Sequence, residues 1–130
     1  MNQVFALVAV AVGGALGSVA RYIVSNWFFQ RFGGGFPWGT FAINVSGAFV
    51  IGVVMQLVAT RVGFSPYLRL FAATGILGGY TTFSAFAYEA YALGGEGLAM
   101  RSIAYAAGSV VAGVAAAYAG VVTVRAFAAL

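Results

Sequence analysis

The sequence predicts an all-α membrane protein with four transmembrane helices in a single domain, residues 1–130. Of its residues 63% are hydrophobic and only 6% are charged, whereas an average soluble domain is roughly a quarter charged. A spanning helix needs about 20 mostly apolar residues, so the chain has room for four of them with short connections. Glycine, proline and polar residues divide the apolar sequence at three places.

The four spans are expected at residues 4–29, 37–60, 67–93 and 99–124. The first ends before the Gly33-Gly34-Gly35 run, which disfavours a helix. Pro37 suits the first turn of the second span, because proline there loses no intrahelical hydrogen bond. Ser65 and Pro66 suit the N-cap and first position of the third span. A glycine-rich turn at 94–97 precedes the fourth.

The third span is expected to be broken near its middle. Its centre carries Gly78-Gly79 followed by the β-branched pair Thr81-Thr82. Non-helical backbone inside a membrane is tolerated only where it is buried in protein or lines a cavity. Freed carbonyls would then point to a cation site or a pore. The alternative is an intact helix in which the glycines serve packing and the threonines bond to their own turn.

Small residues recur at four-residue spacing in the first and third spans. The pairs are Gly13 with Gly17, Gly14 with Ser18, and Gly75 with Gly79. In lipid, such rows let helix backbones approach closely. They predict a packed bundle without indicating its purpose.

The composition argues against an enzyme. The chain contains no Cys, His, Lys or Asp, and its only carboxylates are Glu89 and Glu96. Nucleophile and base pairs, and side-chain metal sites, need residues that are missing here. No organic cofactor is expected. The six arginines are scattered along the sequence, whereas nucleic-acid binding needs a clustered basic face.

The arginines are nearly balanced between the two membrane faces. With four spans, one face holds Arg61, Arg69 and Arg125, and the other holds Arg31 and Arg101, with Arg21 undecided. Orientation follows the Lys/Arg asymmetry of short loops, and here there is almost none. The chain is therefore expected to insert both ways and to pair as an antiparallel, dual-topology homodimer, since closed two-fold pairs dominate small oligomers.

Several polar and aromatic residues inside the spans need an explanation. Asn44 must face protein or water, because an amide in lipid is costly. It either bonds another helix or donates to a passing anion, and the one-turn pair Tyr105 and Ser109 poses the same choice. Phe83 and Phe86 share a helix face. Their rings either pack or turn their positive edges to an anion.

Two charged residues lie toward the ends of spans. Glu89 follows Thr82 by seven residues on the same face, and Arg21 lies toward the end of the first span. Both side chains are long enough to reach the headgroup region, and Glu89 alternatively bonds polar neighbours. Arg21 alternatively supplies positive potential at the mouth of a pore.

Together these residues resemble the Fluc (CrcB-type) family of fluoride channels. The resemblance rests on Gly13 to Gly17 with Arg21-Tyr22, on Trp38 to Asn44, and on Gly75 to Phe86 with Glu89. The stretch GxxGxxTTFSxF is the most specific part. The match extends over essentially the whole chain.

The resemblance implies a bacterial inner-membrane, multi-pass channel that exports toxic fluoride passively through two pores of an antiparallel dimer. The implied pore residues are Asn44, Phe83, Phe86, Ser84, Thr82, Thr40, Tyr105 and Ser109, with Arg21 and Glu89 in the vestibule. Backbone oxygens of Gly78 and Thr81 from both subunits are implied ligands of a structural sodium ion. Gly113 and Ala117 stand where family members continue the hydroxyl row, so that part of the polar track is in question.

Two other functions fit the size of the chain. A small multidrug exporter also has four helices and dual topology, but it depends on a carboxylate in the first span, and this chain has none there. A membrane assembly subunit that transports nothing is supported only by the small-residue packing faces.

Overall fold

Within the described part of the chain, four helices are long and apolar enough to cross a membrane, as predicted. The computed structural model describes residues 2–60 and 63–128. Helix α1 is Gln3–Phe32, α2 is Trp38–Thr60, the third span is Pro66–Gly95, and the last helix is Ala99–Ala128. The first and last run three or four residues past their predicted ends. Arg61, which entered the orientation argument, lies outside the described residues.

The helix ends follow local signals in the sequence. Asn2 caps α1, its side chain accepting a 2.9 Å bond from the Val4 N–H. Ser65 caps the third span with Pro66 in the first turn, as predicted. Pro37 instead lies just before α2, where its carbonyl accepts a 3.1 Å bond from Phe41 N–H. It therefore stands at the cap and not in the first turn.

The third span is interrupted at two threonines. Its first part, α3, covers residues 66–80 and widens into a π-helix at Leu70–Leu77. Thr81 (φ −76°, ψ 155°) and Thr82 (φ −148°, ψ 113°) are extended, and α4 is Phe83–Gly95. The last helix, Ala99–Ala128, is α5. Gly78 and Gly79, expected to open the backbone, remain helical.

Glycines bring α1 and α3 into backbone contact, which explains why Gly79 stays helical. A Cβ on Gly79 would overlap the carbonyl oxygen of Gly14, and one on Gly17 would overlap the carbonyl oxygen of Ile76. Close approach of this kind is how helices associate in lipid. The predicted role of these glycines in packing is thereby confirmed, and the two helices together fix the position of the break.

A second glycine contact joins α2 to α5. A Cβ on Gly52 would overlap the Ala117 carbonyl oxygen, and one on Gly120 would overlap the Phe49 carbonyl oxygen. These two helices therefore cross with their backbones in contact. The crossing places the N-terminal half of α2 alongside α4 and α5, where the polar residues of all three meet.

Candidate functional site

The side-chain amide of Asn44 pairs with the open backbone at the break. Its Nδ2 donates to the Thr82 carbonyl at 3.0 Å, and its Oδ1 accepts from the Thr82 N–H at 2.8 Å. The amide thus replaces the helical partners that Thr82 lacks. One Nδ2 proton is committed to this pairing. The second remains for another acceptor.

The break also frees the carbonyls of Gly78 and Thr81 from their helical donors. In an α-helix they would accept from the N–H groups of residues 82 and 85. Here the Thr82 N–H is bonded to Asn44, and the Ala85 N–H is bonded to Thr82 Oγ1 at 3.2 Å. Both residues line one groove of about 330 Å³ beside Asn44. Carbonyl oxygens of unwound helices are suitable ligands for sodium.

A cavity of about 250 Å³ adjoins the other side of Asn44. The residues that line it come from α2, the break, α4 and α5, and they are Asn44, Thr81, Thr82, Phe83, Phe86, Ser109 and Val110. The Ser109 hydroxyl is buried and has no hydrogen-bond partner among the described residues. Six of the predicted pore or sodium residues therefore meet in one place, and two of them, Asn44 and Ser109, have an unused hydrogen-bond donor.

The two phenylalanines form one wall of this cavity. Their ring centroids are 5.7 Å apart, with the ring planes inclined at 49°. Phe86 also lies 5.3 Å from the ring of Tyr105. Phe83 is 79% exposed, so within one chain this wall is covered on one side only.

Glu89 accepts hydrogen bonds from two of the other predicted pore residues. Thr40 Oγ1 donates to Glu89 Oε1 at 2.7 Å, and the Tyr105 hydroxyl donates to Oε2 at 2.7 Å. Both donors are buried, Thr40 at 5% and Tyr105 at 1% exposed. Each hydroxyl has a single proton, and both protons are committed to the carboxylate.

A cavity of about 270 Å³ opens beyond this carboxylate, at the end where α1 finishes and α2 begins. Phe36 and Trp38 line it, and Phe36 packs edge-on against Tyr105 at 5.4 Å. Both acidic residues of the chain, Glu89 and Glu96, also line it. Tyr105 therefore lies between this mouth and the cavity beside Asn44.

The other predicted residues are less enclosed. Ser84 is exposed, with its hydroxyl 3.4 Å from Thr82 Oγ1. Arg21 is half-buried within α1, one turn past Gly17, and a Cβ on Gly17 would lie 2.9 Å from Tyr80 N. Arg21 is thus about 16 Å from the end of α1 at 1.5 Å per residue, deeper than the sequence indicated.

Ala117, at one of the two positions in question on the polar track, has a packing role. Its carbonyl oxygen contacts Gly52 at the α2–α5 crossing. Gly113 has open space around it within the described residues. Neither position therefore adds a hydroxyl to those of Tyr105 and Ser109 on α5.

Sequence reasoning missed a second set of contacts between α2 and the break. The hydroxyls of Tyr80 and Ser46 are hydrogen-bonded at 3.0 Å. Gly47 faces the Thr81 side chain, and a Cβ there would overlap the threonine methyl. The available signal was the spacing of Ser46 and Gly47, which follow Asn44 within one turn.

Comparison with known proteins places the chain among close relatives. The sequence profile of the family described as CrcB-like protein, Camphor Resistance (CrcB), matches residues 8–121. A protein of Rhizobium meliloti named fluoride-specific ion channel FluC is 48% identical over 120 residues, which is 92% of this chain and 96% of the relative.

Relatives with the same printed name come from other bacteria. One from Rhizobium etli is 50% identical over 117 residues, covering 90% of this chain and 94% of its own length. One from Chloroflexus aurantiacus is 44% identical over 115 residues, covering 88% and 91%. On the strength of these matches along nearly its whole length, the chain belongs to the CrcB-like family.

Proposed function

We propose that this protein is a passive, fluoride-selective ion channel of a bacterial inner membrane. The observation that carries the proposal is the cavity at the break. There a spare Asn44 N–H and the Ser109 hydroxyl, which has no partner in the part of the chain that the structure describes, meet beside two phenylalanine rings. The names of the relatives support the identity of the ion. The chain is not an enzyme.

Neutral donors suit a small anion that holds its water strongly. A pore must replace the hydration shell of the ion and still release it, so several weak sites serve better than one strong site. The Asn44 amide and the Ser109 hydroxyl carry no net charge. The edges of the Phe83 and Phe86 rings are electropositive. A fluoride ion among them would therefore be stabilised without being trapped.

Thr40 and Tyr105 continue the row of donors toward the mouth. Both hydroxyls point at one anionic group, the Glu89 carboxylate, at 2.7 Å. They are therefore already arranged around a negative charge. They become available to fluoride when the carboxylate moves away, and this makes Glu89 the residue that controls the last step to the mouth.

The functional unit in this proposal is an antiparallel homodimer. Phe83 is 79% exposed although it lines the polar cavity, and its neighbour Ser84 is exposed as well. A second copy inserted in the opposite direction would cover this open wall and close a passage on each side of the two-fold axis. The near balance of arginines between the two faces favours both insertions equally.

A structural sodium ion at the centre of the dimer fits the freed carbonyls. Gly78 and Thr81 line a common groove and have lost their helical donors to Asn44 and Thr82. Among the described residues, no group of three or more acidic, His or Cys side chains is placed to hold a metal. Backbone oxygens from two copies would supply the ligands instead.

The decisive experiment measures ion flux from liposomes. Purified protein should release loaded fluoride rapidly, followed with a fluoride electrode, and should retain loaded chloride. Equal loss of the two anions would exclude a fluoride-selective pore. No flux of either would favour an assembly subunit. Replacing Phe83 with Ile should stop flux while the dimer survives size-exclusion chromatography.

The orientation is tested separately by cysteine labelling. The chain has no native cysteine, so Gly95→Cys at the exposed C-terminal end of α4 introduces a single thiol. An impermeant maleimide should label about half of the protein in intact cells and the rest after permeabilisation. Labelling that is complete from one side, or absent from it, would contradict dual topology.

A further inference from the structure

Helix α2 contacts three successive residues, the last residue of α3 and the two residues of the break. Asn44 bonds Thr82, Gly47 accommodates the methyl group of Thr81, and Ser46 bonds the hydroxyl of Tyr80. The first contact belongs to the pore and the second to backbone packing. The third uses only two side-chain hydroxyls, so it can be removed without disturbing the other two.

The directions of the hydroxyl bonds follow from counting protons. Ser46 Oγ lies 3.2 Å from the Ile43 carbonyl of its own helix, so its single proton is donated there. The Tyr80 O–H must then be the donor across the 3.0 Å contact to Ser46 Oγ. Inside a membrane no water competes for this donor. The bond therefore restrains Tyr80 relative to α2.

Tyr80 lies between the two residues whose carbonyls are free. Gly78 precedes it by two positions, and Thr81 follows it directly in extended conformation. On the opposite side, α1 presses against the backbone, with Gly17 facing Tyr80 N and Gly14 facing Gly79. The end of α3 is thus held by backbone contact on one side and by the tyrosine hydroxyl on the other.

We infer that Tyr80 is a positioning residue for the sodium site, acting through its bond to Ser46. The bond limits rotation of the last turn of α3 and so fixes the directions of the Gly78 and Thr81 carbonyls. This inference rests on the proposed sodium site. The affinity for sodium then depends partly on the Tyr80 side chain, which does not contact the ion.

The test uses thermal unfolding of the purified dimer in detergent, measured against sodium concentration with choline chloride holding ionic strength constant. A ligand that binds only the folded state raises its stability with concentration. Tyr80→Phe keeps the ring and removes one oxygen. It should need about fivefold more sodium for the same rise in melting temperature, as expected for the loss of one hydroxyl bond.

The Ser46 variants identify the bond as the cause. Ser46→Ala should shift the sodium dependence to a similar extent, and Ser46→Thr, which keeps a hydroxyl, should restore it. The double variant Ser46→Ala with Tyr80→Phe should need no more sodium than the Ser46→Ala single variant, because the two substitutions remove the same interaction. Tyr118→Phe, at an exposed tyrosine on α5, serves as the matched control.

The outcomes separate this inference from the proposed function. The positioning role would be overturned if Tyr80→Phe left the sodium dependence unchanged. It would also be overturned if Tyr118→Phe changed the sodium dependence as much as Tyr80→Phe does. A wild-type protein whose melting ignores sodium would overturn both the role and the sodium site. The melting measurement requires no fluoride, so a failure of fluoride transport in liposomes would leave its result intact and would count only against the channel.

Discussion

Replacing Asn44 by Asp and by Ala should separate its two tasks, holding the break open and donating to the ion. The side chain makes two hydrogen bonds to Thr82, at 3.0 and 2.8 Å. Alanine removes both. Aspartate keeps an oxygen that accepts from the Thr82 N–H, loses the donor to the Thr82 carbonyl, and adds a negative charge beside the cavity.

The two substitutions are expected to differ in transport more than in stability. Alanine leaves an N–H and a C=O unpaired, at about 1–3 kcal/mol each, so it should lower the melting temperature. Aspartate keeps one bond but places an unpaired charge beside the Thr82 carbonyl, which also destabilises the fold. Its charge about 4 Å from a passing fluoride would raise the energy of the ion by about 4 kcal/mol at an effective dielectric constant near 20, which slows transport about a thousandfold.

The assay pairs thermal unfolding in detergent with fluoride efflux from liposomes at neutral pH. The expected result is a lower melting temperature than that of the wild type for both variants, together with slower efflux in Asn44→Asp than in Asn44→Ala. Wild-type efflux from Asn44→Asp would refute the placement of this amide beside the ion path. Equal efflux from the two variants, with both melting temperatures lowered, would reduce Asn44 to a structural residue.

Three further substitutions test other parts of the structure. Gly52→Ala drives a methyl group into the Ala117 carbonyl oxygen and should lower the free energy of unfolding by about 1–3 kcal/mol, seen as a lower melting temperature. An unchanged melting temperature would contradict the α2–α5 crossing described above. Ser102→Ala removes a 2.6 Å bond to the Ala90 carbonyl and should cost about 1 kcal/mol with normal efflux, whereas lost efflux would mean that this bond serves the pore. Glu89→Ala leaves the Thr40 and Tyr105 hydroxyls free for fluoride and should keep efflux at least as fast as in the wild type, whereas slower efflux would contradict the control of this step by Glu89.

The helices were predictable from the sequence because each depends on residues close together in the chain. Long apolar runs, the glycine run that ends α1 and the Ser65-Pro66 start of α3 are all local signals. The position of the break was harder. Gly79 looked like a helix breaker, but its contact with α1 gives it another use, and the opening falls on Thr81 and Thr82.

The partners of the polar residues could not be predicted in the same way. Asn44 pairs with a residue 38 positions away, and Thr40 with a carboxylate 49 positions away. Such pairs depend on how helices cross, which hydrophobic patterning does not specify when helices are apolar all round. Glu89 was expected either to reach toward the headgroups or to bond polar neighbours, and which hydroxyls it bonds appears only in the folded structure.

Both acids of the chain lie at one mouth, so a single passage has unlike ends. An isolated passage of this kind would be expected to rectify, passing current more readily in one direction. In the antiparallel pair proposed above, the second passage is reversed, and the two biases cancel. The assembly would then conduct equally inward and outward, and only the electrochemical gradient of fluoride would decide the direction of net flow.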